Sequence, residues 1–370
     1  MPEPLEGYAK LPEDLLRELL EGADQVVSDV QALLGPALDN KEGLQAALRN
    51  LGFVRRFEEL GTGSVCGVDG GYAVERTAAA DLVLSVAVGV EGLGSETTEW
   101  GSTQYQWWAN VRKHDQQSER LARGVMVAQE LAVIADAPHT YRILDGSHLT
   151  LVIQLNSALT CFNPEIRAEA RRVWKELDTL DALRSVVEDP EVLAMPKYDS
   201  SRVFTESLEQ RTGLQLPGDD KHLMSLLLEA GEMTIPLRVP KDPWTKLHFD
   251  AGGEEDRAFA EALEDAIRPL KRREIYFSYV KPDDFSSAFR VEYKPDMMED
   301  QFDSFCSTLA NQITGPFVRE PFPQYLADVM AKSVGLGLSA LQSAVQLSLS
   351  REGRPDIAEL LVRSYRTEGV

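Results

Sequence analysis

The 370-residue sequence predicts an α/β fold with helical extensions at both ends. Three observations predict it: short β-branched apolar runs that stop at Asp-Gly, longer segments whose apolar residues recur near a 3.6-residue period, and the interleaving of the two with no repeat of roughly 20–50 residues. The hydrophobic fraction of 43 % and charged fraction of 26 % are those of a folded chain. No apolar run approaches the roughly 20 residues that a bilayer span needs. Met1 to Tyr8 lack the basic and apolar regions of a signal peptide, so the expected location is the cytoplasm. Cys66, Cys161 and Cys306 are too few and too scattered for a disulfide framework or a structural zinc site. With 60 acidic against 38 basic residues the net charge is −22, which taken alone disfavours a polyanionic partner.

Taken in order, Leu11–Gly35 and Asn40–Asn50 read as helices, the first with Leu15, Leu16, Leu19, Leu20, Val26 and Val27 at helical spacing. Ser64 to Val68 is a strand that stops at the turn Asp69-Gly70-Gly71, and Asp81–Gly89 is a second buried strand. The polar, tryptophan-containing stretch from Glu99 to Ser118 has no period and reads as an insertion or site rim. Ser118–Ala135 is a helix capped by Ser118, and Tyr141 to Leu144 is a strand closing on Asp145-Gly146-Ser147. Pro164–Val187 reads as one helix bearing Arg167, Arg171, Arg172 and Lys175 on one side. Val192–Phe204 contains a short strand and turn around Met195-Pro196-Lys197, and residues from Thr205 to Glu255 look irregular. A helix at Arg257–Ile267 precedes the basic cluster Arg268, Lys271, Arg272 and Arg273. Ile275–Val280 and Ser287–Tyr293 form an antiparallel pair across Lys281-Pro282-Asp283-Asp284, and helices close the chain at Met298–Gln312 and Tyr325–Leu349.

The chemistry rests on carboxylates. Asp69 and Asp145 each follow an apolar strand and precede glycine, and groups at the carboxyl ends of central strands face the crevice in which α/β sheets bind ligands. Glu130 lies on an otherwise apolar helical stripe with Met126, Val127, Val133 and Ile134, so it should be buried, and a buried carboxylate needs a cation, donors or a metal. Three carboxylates without a His or Cys cluster favour Mg2+ or Mn2+, which suit metal-assisted phosphodiester hydrolysis. Gly-x-x-x-x-Gly-Lys-Ser/Thr, Gly-x-Ser-x-Gly and His-Glu-x-x-His are all absent.

The succession of Val68-Asp69-Gly70, Glu130, Ile143-Leu144-Asp145-Gly146-Ser147, Arg290-Val291-Glu292-Tyr293 and Pro321-Phe322-Pro323 resembles the NurA nuclease family over about Val65 to Gly337. The resemblance implies an RNase H-like core, a mixed central sheet flanked by helices, that degrades DNA with Mn2+ as a homodimer. It also implies work beside a HerA-type hexameric ATPase in DNA end processing or phage defence. The division it suggests is a helical arm over 1–60, a nuclease domain over 61–337 with insertions near 95–118 and 205–256, and a helical extension over 338–370. Asp69, Glu130 and Asp145 take the family's metal positions, and Lys197 resembles a family lysine that contacts the scissile phosphate. Glu320 and Asp328 stand where the family has tyrosine and histidine; Asp328 retains an oxygen ligand but removes a proton donor or phosphate contact.

DNA binding by so acidic a chain then requires a local groove, for which Arg167, Arg171, Arg172, Lys271, Arg272 and Arg273 are candidates, or delivery by the translocase. The alternatives are a catalytically weak or inactive adaptor docking on a HerA-like ATPase, and an actin-like-fold ATPase.

Overall fold

The computed structural model describes residues 12–94, 100, 104–239, 253–272 and 274–362. The chain opens on three helices, α1 (Glu13–Glu21), α2 (Ala23–Asp39) and α3 (Lys41–Asn50), and a short strand, β1 (Val54–Arg56). The central strands follow: β2 (Val65–Arg76), β3 (Asp81–Glu91) and β4 (Gln104–Arg112), then α4 (Ser118–Ala135) and β5 (Tyr141–Asp145). Three helices, α5 (His148–Leu159), α6 (Pro164–Glu176) and α7 (Thr179–Glu188), lead to β6 (Val192–Met195). Next come α8 (Val203–Thr212), α9 (Asp220–Leu227), β7 (Glu232–Thr234), β8 (Leu237–Arg238), α10 (Glu254–Ala266) and α11 (Arg268–Arg272). The hairpin β9 (Tyr276–Lys281) and β10 (Phe289–Tyr293) precedes α12 (Glu299–Ala310), α13 (Phe322–Lys332), α14 (Val334–Arg351) and α15 (Pro355–Val362).

One mixed sheet runs β1-β7-β9-β10-β6-β5-β2-β3-β4, with β8 on β9. The pairs β2–β5 and β5–β6 are parallel and the outer pairs antiparallel. Helices cover both faces, as an α/β chain requires to bury two apolar surfaces. Cys66, Val68, Leu144 and Ala194 point into a large core with α3 to α10. Their neighbours Val65, Ile143, Leu193 and Met195 point to the other face and pack with α12, and farther along β3 the residues Leu84 and Val88 meet α14 and α13. Gly124 lets α4 approach α5 and α6: a Cβ there would stand 2.5 Å from Ala158 Cβ, and Trp174 Nε1 donates to the Gly124 carbonyl at 2.9 Å.

Several expectations need correction. Asp69-Gly70-Gly71 is no turn, since β2 runs through it to Arg76 while pairing with β3 over eleven residues. The polar tryptophan stretch contains an edge strand, β4, with Tyr105 and Trp107 outward and Trp108 buried; residues 95–99 and 101–103 lie outside the described set. Ser118 does not cap α4; its hydroxyl donates to Asp81 Oδ2 at 2.8 Å, and Gln117 holds the cap position. The expected helix at 164–187 is broken between α6 and α7, where Asp178 takes a left-handed conformation with φ 47°. Residues 205–239 are regular, with the body of α8, all of α9 and two strands that close the sheet. The last expected helix is divided at Ser333 into α13 and α14. The β9–β10 hairpin has the expected antiparallel register. Among the described residues no helix is long and apolar enough to cross a membrane.

Candidate metal centre

Register brings the two strand aspartates together. Val68 stands opposite Leu144 in the parallel β2–β5 ladder, so the next residues, Asp69 and Asp145, are neighbours across strands. Side chains alternate along a strand, and both aspartates leave the sheet on the face that α13 covers. Glycines allow that helix to lie against β2: a Cβ on Gly67 would stand 2.8 Å from Gln324 N, and one on Gly71 2.2 Å from Ala331 O. Gly146, with φ +95°, supplies the left-handed step that turns the chain away after Asp145.

Helix α13 contributes Gln324, Asp328 and Lys332, spaced four residues apart and therefore on one face. Gln324 is buried, and its Nε2 donates to Asp145 Oδ1 at 2.8 Å and to the Met195 carbonyl at 3.2 Å. Asp328 completes a trio, with one carboxylate oxygen from each of Asp69, Asp145 and Asp328 within 4.8 Å of the others. Lys197, after β6, is hydrogen bonded to Asp328 and lies 3.3 Å from Asp145 Oδ2 and 3.8 Å from both Asp69 Oδ2 and Glu320 Oε2. Lys332 Nζ lies 2.6 Å from the other Asp328 oxygen.

Glu130 is buried as its apolar stripe predicts, but it comes to β2 from α4, on the opposite face. Its Oε1 would be 2.3 Å from a Cβ on Gly70, so the glycine after Asp69 makes room for a carboxylate instead of forming a turn. Glu130 is not among the three acids that share the 4.8 Å grouping. The structure thus brings Asp69, Asp145, Asp328 and Lys197 together and holds Glu130 behind the strand.

The electrostatics are those of excess negative charge. Burial and the charge of Asp145 push Asp69 up to about 8, against the pull of Lys197 and the Gly70 amide. Burial, then Asp69 and Asp145, raise Glu130 well above the carboxylate range. Burial also acts upward on Asp328, but hydrogen bonds from Lys197 and Lys332 override it and hold this carboxyl low. Lys197 loses solvent too, yet Asp145, Asp328, Glu320 and Asp69 hold its ammonium firmly protonated. Like charges crowded at low dielectric are relieved by a cation. An all-oxygen donor set suits a hard divalent ion such as Mg2+ or Mn2+, so the residues present fit such an ion.

The sequence reading passed over Gln324 and Lys332; their signal was the four-residue spacing about Asp328. The described residues expected to line a basic groove are paired with acids instead. Arg167 and Arg171 pair with Asp256, Arg172 lies between Glu169 and Glu176, and Lys271 pairs with Glu264. Arg273 and the side chain of Arg272 lie outside the described residues.

No family model matches the sequence, and no curated protein matches it either. Solved structures do. The NurA nuclease from Sulfolobus solfataricus superposes with a TM-score of 0.60 at 14 % identity, over 92 % of this chain and 98 % of that one. A NurA structure with manganese aligns at a TM-score of 0.48 and 12 % identity, over 88 % of this chain and 98 % of that one. Endonuclease V from Streptomyces avermitilis aligns at 0.31 and 15 % identity, over 82 % and 94 %. The fold that the motifs suggested, that of NurA nucleases, is therefore the fold of this chain along most of its length.

Proposed function

We propose that the chain is a divalent-metal-dependent deoxyribonuclease with an RNase H-like core, hydrolysing phosphodiester bonds at the Asp69, Asp145 and Asp328 cluster. The observation that carries this reading is the convergence of three carboxylates and one lysine on one face of a sheet whose overall fold is that of a NurA nuclease. Asp69, Asp145 and Asp328 would hold a Mg2+ or Mn2+ ion, which would supply activation of water and neutralisation of charge on the departing oxygen. Gln324 fixes the rotamer of Asp145 through its amide, and the Lys197 ammonium, 3.3 Å from Asp145 Oδ2, is placed to meet a phosphate oxygen lying over the acids. Glu130, over Gly70 on the other face of β2, would hold a proton behind the trio and act on it through its charge state rather than as one of its three grouped acids. Asp145→Asn should lower Mn2+-dependent cleavage of labelled DNA by at least about 10³-fold, the scale of losing a group that acts with a metal. Circular dichroism unchanged from wild type would accompany the loss; a variant as active as wild type overturns the assignment.

The same reading includes a homodimer served by a HerA-type hexameric ATPase, in DNA end processing or phage defence. Two features support it. Leu19, Leu20, Val26 and Val27 on α1 and α2, with Leu336 and Leu347 on α14, are large apolar side chains left in water. The net charge of −22 and the neutralised arginines of α6 leave little to attract DNA at long range, so delivery by a partner fits better than capture. Light scattering that finds a strict monomer at micromolar concentration would remove the dimer. A cleavage rate unmoved by the ATPase would remove the partner.

A further inference from the structure

Beside the acid trio lies a cleft of about 320 Å3, bounded by the Met195–Tyr198 turn, α9, β10, the Arg319-Glu320 segment and α13. Five of its lining residues are cations, Lys197, Lys221, Arg290, Arg319 and Lys332, against one acid, Glu320. In a chain with 60 acids to 38 bases this is a local inversion of charge.

The five are not equivalent. Lys197 and Lys332 are taken up by the acid cluster. Arg290 is spent inside the fold, lying 2.5 Å from Asp199 Oδ1 and 2.9 Å from Glu292 Oε1, with Phe277 under its guanidinium. Two positive charges remain. Lys221 donates to the Lys197 carbonyl at 2.7 Å and to the Pro196 carbonyl at 3.4 Å, neutral acceptors that fix its position, and Glu320 of the same cleft acts on it through space without forming an ion pair. Arg319 is exposed and has no ion-pair or hydrogen-bond partner among the described residues. Neither forms an ion pair among the described residues, and both face one cleft next to the acids.

We propose that Lys221 and Arg319 form a seat for a second phosphate of the strand, the one flanking the scissile phosphodiester. The proposal rests on the nuclease reading above and adds a subsite to it. A phosphate of the strand carries one negative charge and two free oxygens, which suit an arginine fork beside a fixed ammonium. The cleft adjoins the Lys197 turn, so the phosphate held there belongs to the same strand as the one lying over Asp69, Asp145 and Asp328. Tyr198, 93 % exposed at the cleft edge, offers a ring on which the intervening base can stack.

The test compares two substrates. A single-stranded oligonucleotide has flanking phosphates, whereas bis(p-nitrophenyl) phosphate is a phosphodiester with none. Arg319→Ala should raise KM for the oligonucleotide about tenfold, the scale of one charge-assisted contact, and leave bis(p-nitrophenyl) phosphate hydrolysis unchanged. Lys221→Met should raise the oligonucleotide KM likewise, though it also frees the Lys197 turn and so carries no expectation for the small diester, and each variant should flatten the salt dependence of log affinity for the oligonucleotide by about 0.7. Arg319 has no structural partner to lose, so its variant stays informative if Lys221→Met folds poorly. An equal loss on both substrates from Arg319→Ala, or none on either, overturns the seat and leaves the nuclease reading standing. Failure of the wild-type chain to cleave either substrate in Mn2+ is a failure of that reading instead.

Discussion

Two buried groups of charged residues sit within one strand of each other and could hardly differ more. Around Glu292 on β10, each carboxylate has donors. The carboxylate accepts from Ser147 Oγ at 2.7 Å, from the His148 amide at 3.2 Å and from Arg290 at 2.9 Å, and Arg290 in turn meets Asp199, which also accepts from Tyr279. Burial acts to raise Glu292, but His148, Arg290 and Ser147 together hold it below its ordinary value. Around Asp69 the acids Asp145, Asp328 and Glu130 answer one another with more negative charge, and Asp69 rises to about 8. Burial is common to both groups; the supply of donors is not. A paired cluster holds a fold in place, whereas this frustrated one packs more carboxylates together than Lys197 and Lys332 neutralise, so Asp69 stays strained toward its protonated form.

The paired cluster also builds the frustrated one. Ser147 lies two residues after Asp145, and its bond to Glu292 pins the turn on which Asp145 ends; Arg290 and Tyr279 pin Asp199, two residues after Lys197. The Arg290-Val291-Glu292-Tyr293 motif is thus a brace for the site. Glu292→Gln removes an anion from this network and should cost about 3 kcal/mol or more, because Arg290 is left buried with one charged partner fewer. Denaturant melts measure the loss, and a change under about 1 kcal/mol would show that Glu292 does not brace the fold.

How much of this was legible in the sequence depended on whether a residue's role is set by its neighbours along the chain or across it. Burial of Glu130 follows from four apolar residues on its own helix, and the convergence of Asp69 with Asp145 follows from two apolar strands. The β9–β10 hairpin is equally local. By contrast, Asp69-Gly70 has the composition of a turn, and only the long pairing with β3 and the approach of Glu130 turn it into mid-strand backbone. The basic stripe of α6 looked like a groove because the acids that neutralise it include Asp256, distant in sequence. Asp328 entered as a departure from a family motif, and its place in the trio is fixed by glycines on β2 that admit α13.

The frustrated cluster should respond in the opposite sense to the paired one. The folded-state pKa of Asp69 lies near 8, above its ordinary 3.8, so ionisation is dearer in the folded chain than in the unfolded one. In a chelator the protein should therefore lose stability from this group as pH rises from 3.8 toward 8, whereas Glu292, held low, contributes stability that is lost as pH falls. Asp69→Asn should raise the stability of the metal-free chain by roughly 1–2 kcal/mol at pH 8 and by little at pH 4. The same variant should lose most of the rise in Tm that Mn2+ gives wild type. Thermal melts at both pH values, with chelator and with Mn2+, make the comparison; an Asn variant less stable than wild type at pH 8 in chelator would place Asp69 with the paired acids.

The smallest effect expected is at Lys332, and it separates two views of how the fold tolerates its acid trio. Its ammonium lies 2.6 Å from Asp328 Oδ2 across one helical turn, while its side chain is 74 % exposed. An exposed pair of this kind contributes at most about 1 kcal/mol, so Lys332→Met should change stability by only a few tenths of a kcal/mol. Its effect on the metal should be larger in proportion. Lys332 and a divalent ion compete for the same carboxylate, and removing a positive charge this near strengthens the field of the trio, so Mn2+ should bind about two- to fivefold more tightly to the variant. Isothermal titration at low salt measures this, and the gain should shrink at high salt, where the ammonium of wild type is already screened. Weaker Mn2+ binding by the variant would mean that Lys332 holds Asp328 in its ligating rotamer, making it part of the paired scaffold and not a stand-in for the ion.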